Sequence, residues 1–188
     1  ADPRNKYVEN VSLTLLANSR YFGNYKNPTI VLLEANDVIN AFAAPGGFIF
    51  VTTGMLNFLK NEDELAFVLA HEVAHIELDH GLNAIIQKES GKLFAKATGS
   101  AGANSGFGKM LGFAENGYSE DIEAEADIRG AAIAAKTGYD FRSALAVINR
   151  LEKVTGRSHG TGYPADRSKR IKQAAGGAPV PANIVAIR

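Results

Sequence analysis

The sequence predicts an α+β fold in which helices dominate. Three observations lead to this prediction: a stretch with helical periodicity opens the chain, apolar β-branched stretches follow it, and a series of helix-like segments fills the rest. Of the 188 residues, 46% are hydrophobic and 21% are charged, as in an ordinary globular domain. We expect a single domain over residues 1–175. Residues 176–188 would then be a tail, a linker or the start of a segment that has been removed.

The first elements predicted are one helix and three short strands. Residues 5–20 carry apolar side chains at helical spacing, and residues 27–36 are apolar and β-branched between turn residues. Residues 38–54 predict a hairpin, because the Pro-Gly-Gly triplet at 45–47 interrupts two apolar stretches. The hairpin and the strand before it supply a small sheet.

A central helix is predicted next, between a cap at Asn61 and a stop at Gly81. Glu64 stands at the third helical position, as in a capping box. Apolar residues surround nearly the whole helix, so we expect it to be buried. The further predicted helices cover 84–97, the stretch from Ser119 to Gly138, about 140–155 and about 165–175. A mobile loop or a weak helix is predicted at 97–112, and a glycine-rich loop is predicted at 155–164.

The central helix contains the spacing H-E-x-x-H at His71, Glu72 and His75. Two histidines four residues apart lie one turn apart on the same helical face, so both imidazoles can bind one zinc ion. Glu72 lies about 100° round from His71, at the edge of that face, which suits a general base acting on water. His80 lies on another face if the helix continues. We therefore expect it to be an ordinary histidine of the last turn, where the helix dipole favours positive charge.

A third metal ligand has to come from elsewhere in the chain. The sequence has no cysteine, and the one remaining histidine is His159. The acid-rich segment 120–127 offers two pairs of carboxylates on a shared helical face. These pairs are Glu123 with Asp127 and Asp121 with Glu125, and spacing alone does not choose between them.

These motifs together resemble the HtpX-like and CAAX-prenyl-protease family of gluzincin zinc metallopeptidases, especially its soluble periplasmic-type catalytic domains. The resemblance is carried by two stretches, which read NAFAAPGGFIFVTTGMLNFLKNEDELAFVLAHEVAHIELDH and NGYSEDIEAEADIRGAAIAAKTGYD. It implies a zincin-like metallopeptidase domain with a small sheet beside the H-E-x-x-H helix. It also implies one zinc ion per chain.

The resemblance further assigns roles to individual residues. The family pattern E-x-x-A-D falls on Glu123, Ala126 and Asp127, which makes Glu123 the implied third ligand and Asp127 the implied partner of a ligand histidine. Asn40 and Ala41 match an Asn-Ala strand that pairs with the backbone of an extended substrate.

The sequence departs from the family near its end. Many members have a His-Pro pair followed by an arginine on a short helix, whereas this chain has Tyr163 before Pro164, with Arg170 in the place of the arginine. Tyr163 is predicted to act in catalysis by donating a hydrogen bond to an oxyanion, with covering or ligating the metal as the alternative. Arg170 is predicted to contact substrate. His159, in the same glycine-rich loop, is a further candidate for the site.

The predicted function is zinc-dependent hydrolysis of peptide bonds in unfolded or misassembled proteins. The alternative is a zinc-containing chaperone-like or assembly domain with latent or no proteolysis. Because the 20 basic residues balance the 20 acidic ones, nucleic acid is an unfavourable partner. No apolar run is long enough to span a bilayer. The resemblance favours the periplasm or cell envelope, with the cytoplasm as the alternative.

Overall fold

The computed structural model of the protein describes residues 2–20, 28–86, 118–155 and 167–174. It confirms the predicted α+β fold with helices dominant. The helices are α1 (Pro3–Asn18), α2 (Thr53–Phe58), α3 (Glu62–Glu77), α4 (Glu120–Thr137), α5 (Phe141–Thr155) and α6 (Arg167–Ala174), and residues 80–86 are also helical. The strands are β1 (Thr29–Leu33), β2 (Ala41–Ala44) and β3 (Phe48–Thr52). Among these elements, only α2 has no counterpart in the sequence prediction.

The three strands form one sheet in the order β1-β3-β2. Strand β1 runs parallel to β3, and β2 runs antiparallel to it through the predicted turn at 45–47, where Gly46 and Gly47 both have positive φ. Within the described residues, β2 is therefore an edge strand of this sheet. It packs beside α3, which places a row of main-chain groups next to the H-E-x-x-H helix.

Helix α3 is the centre of the fold, and the segment from Asp63 to Ile76 is buried throughout. It begins as predicted, with the Asn61 side chain accepting a hydrogen bond from the Glu64 backbone N–H at 2.9 Å. The capping box does not close, because the Glu64 carboxylate accepts from the Lys60 backbone N–H and from the guanidinium of Arg150. The helix is enclosed by α1, α4, α5 and the sheet, as its apolar circumference predicts.

The end of α3 differs from the prediction. The helix stops at Glu77, four residues before Gly81, because Asp79 takes the left-handed conformation with φ 53°. Gly81 then lies inside the helical segment 80–86. There its backbone packs so closely on Tyr118 and Pro45 that an added Cβ would lie 3.2–3.3 Å from them. The chain reverses at Asp79, which returns His80 towards α3.

Helix α4 crosses α3 at very short range. A Cβ added to Gly130 would lie 2.9 Å from the backbone N and Cα atoms of His71. The helix ends at Gly138, as predicted, with φ 98°. The missing side chain at Gly130 thus lets the carboxylates of the first turns of α4 approach the histidines of α3.

Several predicted segments lie outside the described residues. They are the segment 97–112, residues 156–164 of the predicted 155–164 loop, residues 87–97 of the predicted 84–97 helix, and the tail at 176–188. No helix in the described part of the chain combines the length and the apolar composition needed to cross a bilayer.

Candidate metal centre

Three potential ligand atoms meet between α3 and α4. His71 and His75 contribute Nε2 atoms 3.0 Å apart, and Glu123 Oε2 lies 3.3 Å and 4.0 Å from them respectively. Ligands placed about 2.0–2.1 Å from a tetrahedral zinc ion are separated by about 3.3 Å, so the spacing of this ligand trio (His71, His75 and Glu123) fits that ion. Two imidazoles and one carboxylate also form the donor set of many catalytic zinc sites.

The imidazole of His71 is held on its far side by Asp127. The His71 Nδ1 atom lies 3.0 Å from Asp127 Oδ1, and Asp127 is fully buried. Two nitrogens of Arg167, on α6, donate to the same carboxylate at 2.5 Å and 2.7 Å. Asp127 therefore orients His71 so that Nε2 faces the other ligands, and Arg167 balances the buried charge.

The electrostatics of the trio favour binding of a cation. Burial disfavours a charged imidazole, but Asp127 and Glu123 outweigh it and raise the pKa of His71 well above its ordinary value. Burial would raise the pKa of Glu123 as well, yet the hydrogen bond and charge of His71 lower it to about 2. Burial and the charge of His71 both lower the pKa of His75. Glu123 thus stays ionised beside the imidazoles, whereas the charge of Asp127 is balanced by Arg167, so the Glu123 carboxylate is the group that attracts a cation.

His75 is held by two residues for which the sequence predicted no such role. Its Nδ1 atom lies 2.9 Å from Nδ1 of His80, and its ring stacks on Tyr118 with 4.6 Å between centroids. His80 Nε2 lies 3.4 Å from Glu125 Oε2. The prediction that His80 is an ordinary last-turn residue assumed an unbroken helix, which the turn at Asp79 removes.

Glu72 is suited to act as a base near neutral pH. It is almost fully buried, and desolvation raises its pKa to about 7, although the charge of His71 and a hydrogen bond from the Ala43 backbone act in the opposite direction. A general base is most effective when its pKa lies near the working pH. Because the Ala43 contact comes from β2, the base lies beside the edge strand.

One side of the β2 main chain pairs with no other strand in the described part of the protein, although the Ala43 backbone there hydrogen-bonds to Glu72. Asn40 and Thr52 are joined by main-chain pairing, with Thr52 N–H donating to Asn40 C=O at 3.0 Å. Along the antiparallel ladder the pairing alternates, so Ala41 and Ala43 point their main-chain groups away from β3. We call this side of β2 the open edge. The main-chain groups of Ala41 therefore face the open edge, whereas those of Asn40 face β3.

A recess opens beside His75, between β2 and the start of segment 80–86. Its walls are mostly apolar, which suits a side chain of a bound peptide more than a charged group. The recess is lined by Ala43, Ala44, Pro45, His75, Ile76, Asp79, Gly81, Leu82 and Tyr118.

The remaining predicted residues are placed as follows. Tyr163 and His159 lie outside the described residues. Arg170 is half-buried on α6, and the arginine that reaches the site is Arg167, three residues earlier. Tyr163 and Arg170 therefore stay predictions as site residues, while Arg167, His80 and Tyr118 are contacts that the sequence patterns did not predict.

Comparison with known proteins gives one family match that covers most of the chain. The model of peptidase family M48 matches residues 2–176. A β-barrel assembly-enhancing protease of Yersinia pestis is 26% identical over 174 residues, which are 86% of this chain and 35% of that protein. The mitochondrial metalloendopeptidase OMA1 of Arabidopsis thaliana is 32% identical over 150 residues, 77% of this chain and 31% of that protein. The OMA1 metalloendopeptidase of Danio rerio is 31% identical over 160 residues, 76% of this chain and 33% of that protein. The chain thus spans about a third of the length of these relatives.

Proposed function

Because the chain belongs to peptidase family M48, and OMA1 proteins similar to it are named metalloendopeptidases, we propose that it is a zinc-dependent endopeptidase. The observation that carries the proposal is the convergence of the ligand trio beside Glu72. His71, His75 and Glu123 would hold the ion, one per chain. When bound, zinc supplies Lewis-acid chemistry, lowering the pKa of water and polarising a carbonyl oxygen.

In this proposal Glu72 carries out the proton transfers. Ionised Glu72 takes a proton from the water that attacks the scissile carbonyl, and it returns that proton to the leaving amine. Its pKa of about 7 allows both transfers near neutral pH. Burial of the carboxylate excludes bulk water and so strengthens its interactions with the reacting groups.

The open edge of β2 would hold the substrate. An extended peptide that pairs with the main-chain groups of Ala41 adds a strand to the sheet and lies beside Glu72. The Asn40 side chain is proposed to contact the same peptide. A small apolar side chain of the peptide would lie at the mouth of the recess next to His75. Arg170 is proposed to contact substrate further along, and Tyr163 is proposed to donate a hydrogen bond to the developing oxyanion.

Unfolded or misassembled proteins are the substrate class that we propose. An edge strand can pair only with a segment in extended conformation, and unfolded chains expose such segments freely. The relative from Yersinia pestis is named for enhancing β-barrel assembly, which agrees with action on a misassembled protein. We further propose one peptidase domain over residues 1–175 and a setting in the periplasm or cell envelope.

The proposal is tested by the Glu72→Gln variant, with Glu9→Gln as a matched control on the exposed face of α1. Zinc content is measured by elemental analysis, and digestion is followed with denatured, fluorescently labelled casein. Glu72→Gln should keep one zinc per chain and lose at least about 10²-fold in rate, because the base is removed and the trio is not. Glu9→Gln should match the wild type.

Three outcomes would contradict the proposal. A wild-type protein without bound zinc overturns the metal site. A Glu72→Gln protein that digests casein at the wild-type rate overturns the role of the base. Zinc binding without any digestion by the wild type would favour the chaperone-like alternative.

A further inference from the structure

His80 contacts the ligand trio from outside, through His75. It is buried, with 6% of its surface exposed, and its Nδ1 lies 2.9 Å from Nδ1 of His75. On its other side, Nε2 lies 3.4 Å from the carboxylate of Glu125. This geometry depends on the turn at Asp79, which brings His80 back across the end of α3.

The hydrogen bonds that link His75, His80 and Glu125 form a series, and the direction of each one follows from the protonation of His75. If Nε2 of His75 binds a metal, its lone pair is used and the proton of the neutral ring lies on Nδ1. His75 then donates to Nδ1 of His80, which must be unprotonated. The proton of neutral His80 therefore lies on Nε2, where it faces the Glu125 carboxylate. One arrangement of protons satisfies all three groups.

We propose that His80 is a positioning residue of the metal centre, which accepts the Nδ1 proton of His75 and thereby holds its Nε2 lone pair towards the ion. The inference rests on the proposed function, because it takes the ligand trio to be a metal site. Asp127 makes the equivalent contact with His71, at 3.0 Å. Each ligand imidazole thus has an atom able to accept a proton within 3.0 Å of its Nδ1, and removing such a partner costs about 10–100-fold in metal affinity.

Glu125 is the outermost residue of this hydrogen-bonded series and contributes less than His80 to zinc affinity. Its side chain is 61% exposed, and the 3.4 Å distance is long for a hydrogen bond to a carboxylate. Glu125→Gln keeps an acceptor at this position, so we expect less than about a threefold change in zinc affinity.

The test compares two variants of nearly equal shape, His80→Leu and His80→Asn. Asparagine offers a side-chain oxygen near the position of Nδ1, whereas leucine offers no acceptor and leaves the His75 proton unpaired. Zinc dissociation constants are measured by competition with a chromophoric chelator. Leucine should weaken binding about 10–100-fold, and asparagine should restore it to within a few-fold of the wild type.

A measurement on the wild type makes the test independent of whether a variant folds. With zinc bound, ¹⁵N NMR of labelled histidines should find His80 protonated on Nε2 and unprotonated on Nδ1. A proton on Nδ1 of His80 would overturn the proposal, as would equal zinc affinity of the leucine and asparagine variants. A wild type that binds no zinc would instead overturn the metal site itself, so the two failures are distinguishable.

Discussion

Substituting Gly130 by alanine should lower zinc affinity strongly while lowering the free energy of unfolding only slightly. Gly130 lies on α4 where it crosses His71, seven residues after Glu123 and three after Asp127. Positions seven apart lie on nearly the same helical face, so a shift of α4 at Gly130 also moves Glu123. The substitution therefore displaces the proposed ligands without changing any of their side chains.

The magnitude follows from the distances at the crossing. The added Cβ would lie 2.9 Å from His71 Cα, whereas carbon atoms pack best at about 3.5–4.0 Å, so the helices have to separate by roughly 0.6–1 Å. Overpacking costs about 1–3 kcal/mol, and replacing a helical glycine by alanine recovers about 1 kcal/mol. Net destabilisation should thus be about 0–2 kcal/mol. Metal ligands tolerate only about 0.2 Å of displacement, so zinc affinity should fall at least about tenfold.

Urea unfolding of the metal-free protein measures the change in stability, and chelator competition measures the change in zinc affinity. Gly138→Ala is the matched control, because its added Cβ meets no atom within 4 Å and it strains only the backbone at φ 98°. That control should lose about 1–2 kcal/mol of stability with unchanged zinc affinity. If Gly130→Ala binds zinc as tightly as the wild type, the close crossing does not position Glu123 and the reasoning fails.

Three further predictions concern the surroundings of the site. Arg167→Met should lower the free energy of unfolding by about 3–5 kcal/mol in urea, because Asp127 would lose its countercharge in a fully buried position; equal stability would contradict this. Ala41→Pro removes one outward N–H from an edge strand and should raise KM for unfolded substrates about two- to tenfold with little change in zinc content, and an unchanged KM would refute pairing at the open edge. Burial would raise the pKa of Glu64, but its hydrogen bonds with Arg150 outweigh this and lower it; the stability from this depressed pKa is present above the ordinary value of about 4.5 and is lost as pH falls through the folded value. Glu64→Gln should therefore flatten the acid loss of stability seen by circular dichroism below about pH 4.5, and an identical pH profile would contradict the assignment.

The proposed base and two of the proposed ligands could be identified from the sequence because they depend on one helix. Spacing alone places His71 and His75 on a common face, and that argument needs no tertiary structure. Predicting the third ligand requires knowing which face of α4 packs against α3. A signal was present in the sequence, because Gly130 shares a face with Glu123 and a glycine inside a helix marks close approach.

Other parts of the site depend on backbone and packing that sequence patterns do not report. Asp79 rather than Gly81 provides the left-handed residue that ends α3, and an aspartate in that conformation is uncommon enough to go unpredicted. The contact between His80 and His75 depends on this turn, so helical spacing does not predict it. Arg167 and Arg170 lie on one short helix, and the choice between them depends on how α6 is rotated against α4.

The contacts around His71 join segments that are far apart in the chain. The imidazole on α3 meets Glu123 and Asp127 from α4, and Arg167 brings α6 to the same point. A zinc ion bound there, as proposed, would therefore link these segments as well as take part in catalysis, and its binding free energy would add to the folding free energy. At a free zinc concentration 100 times the dissociation constant, the gain is about 2.7 kcal/mol. Zinc starvation should accordingly reduce the amount of folded protein, and not merely the activity of each molecule.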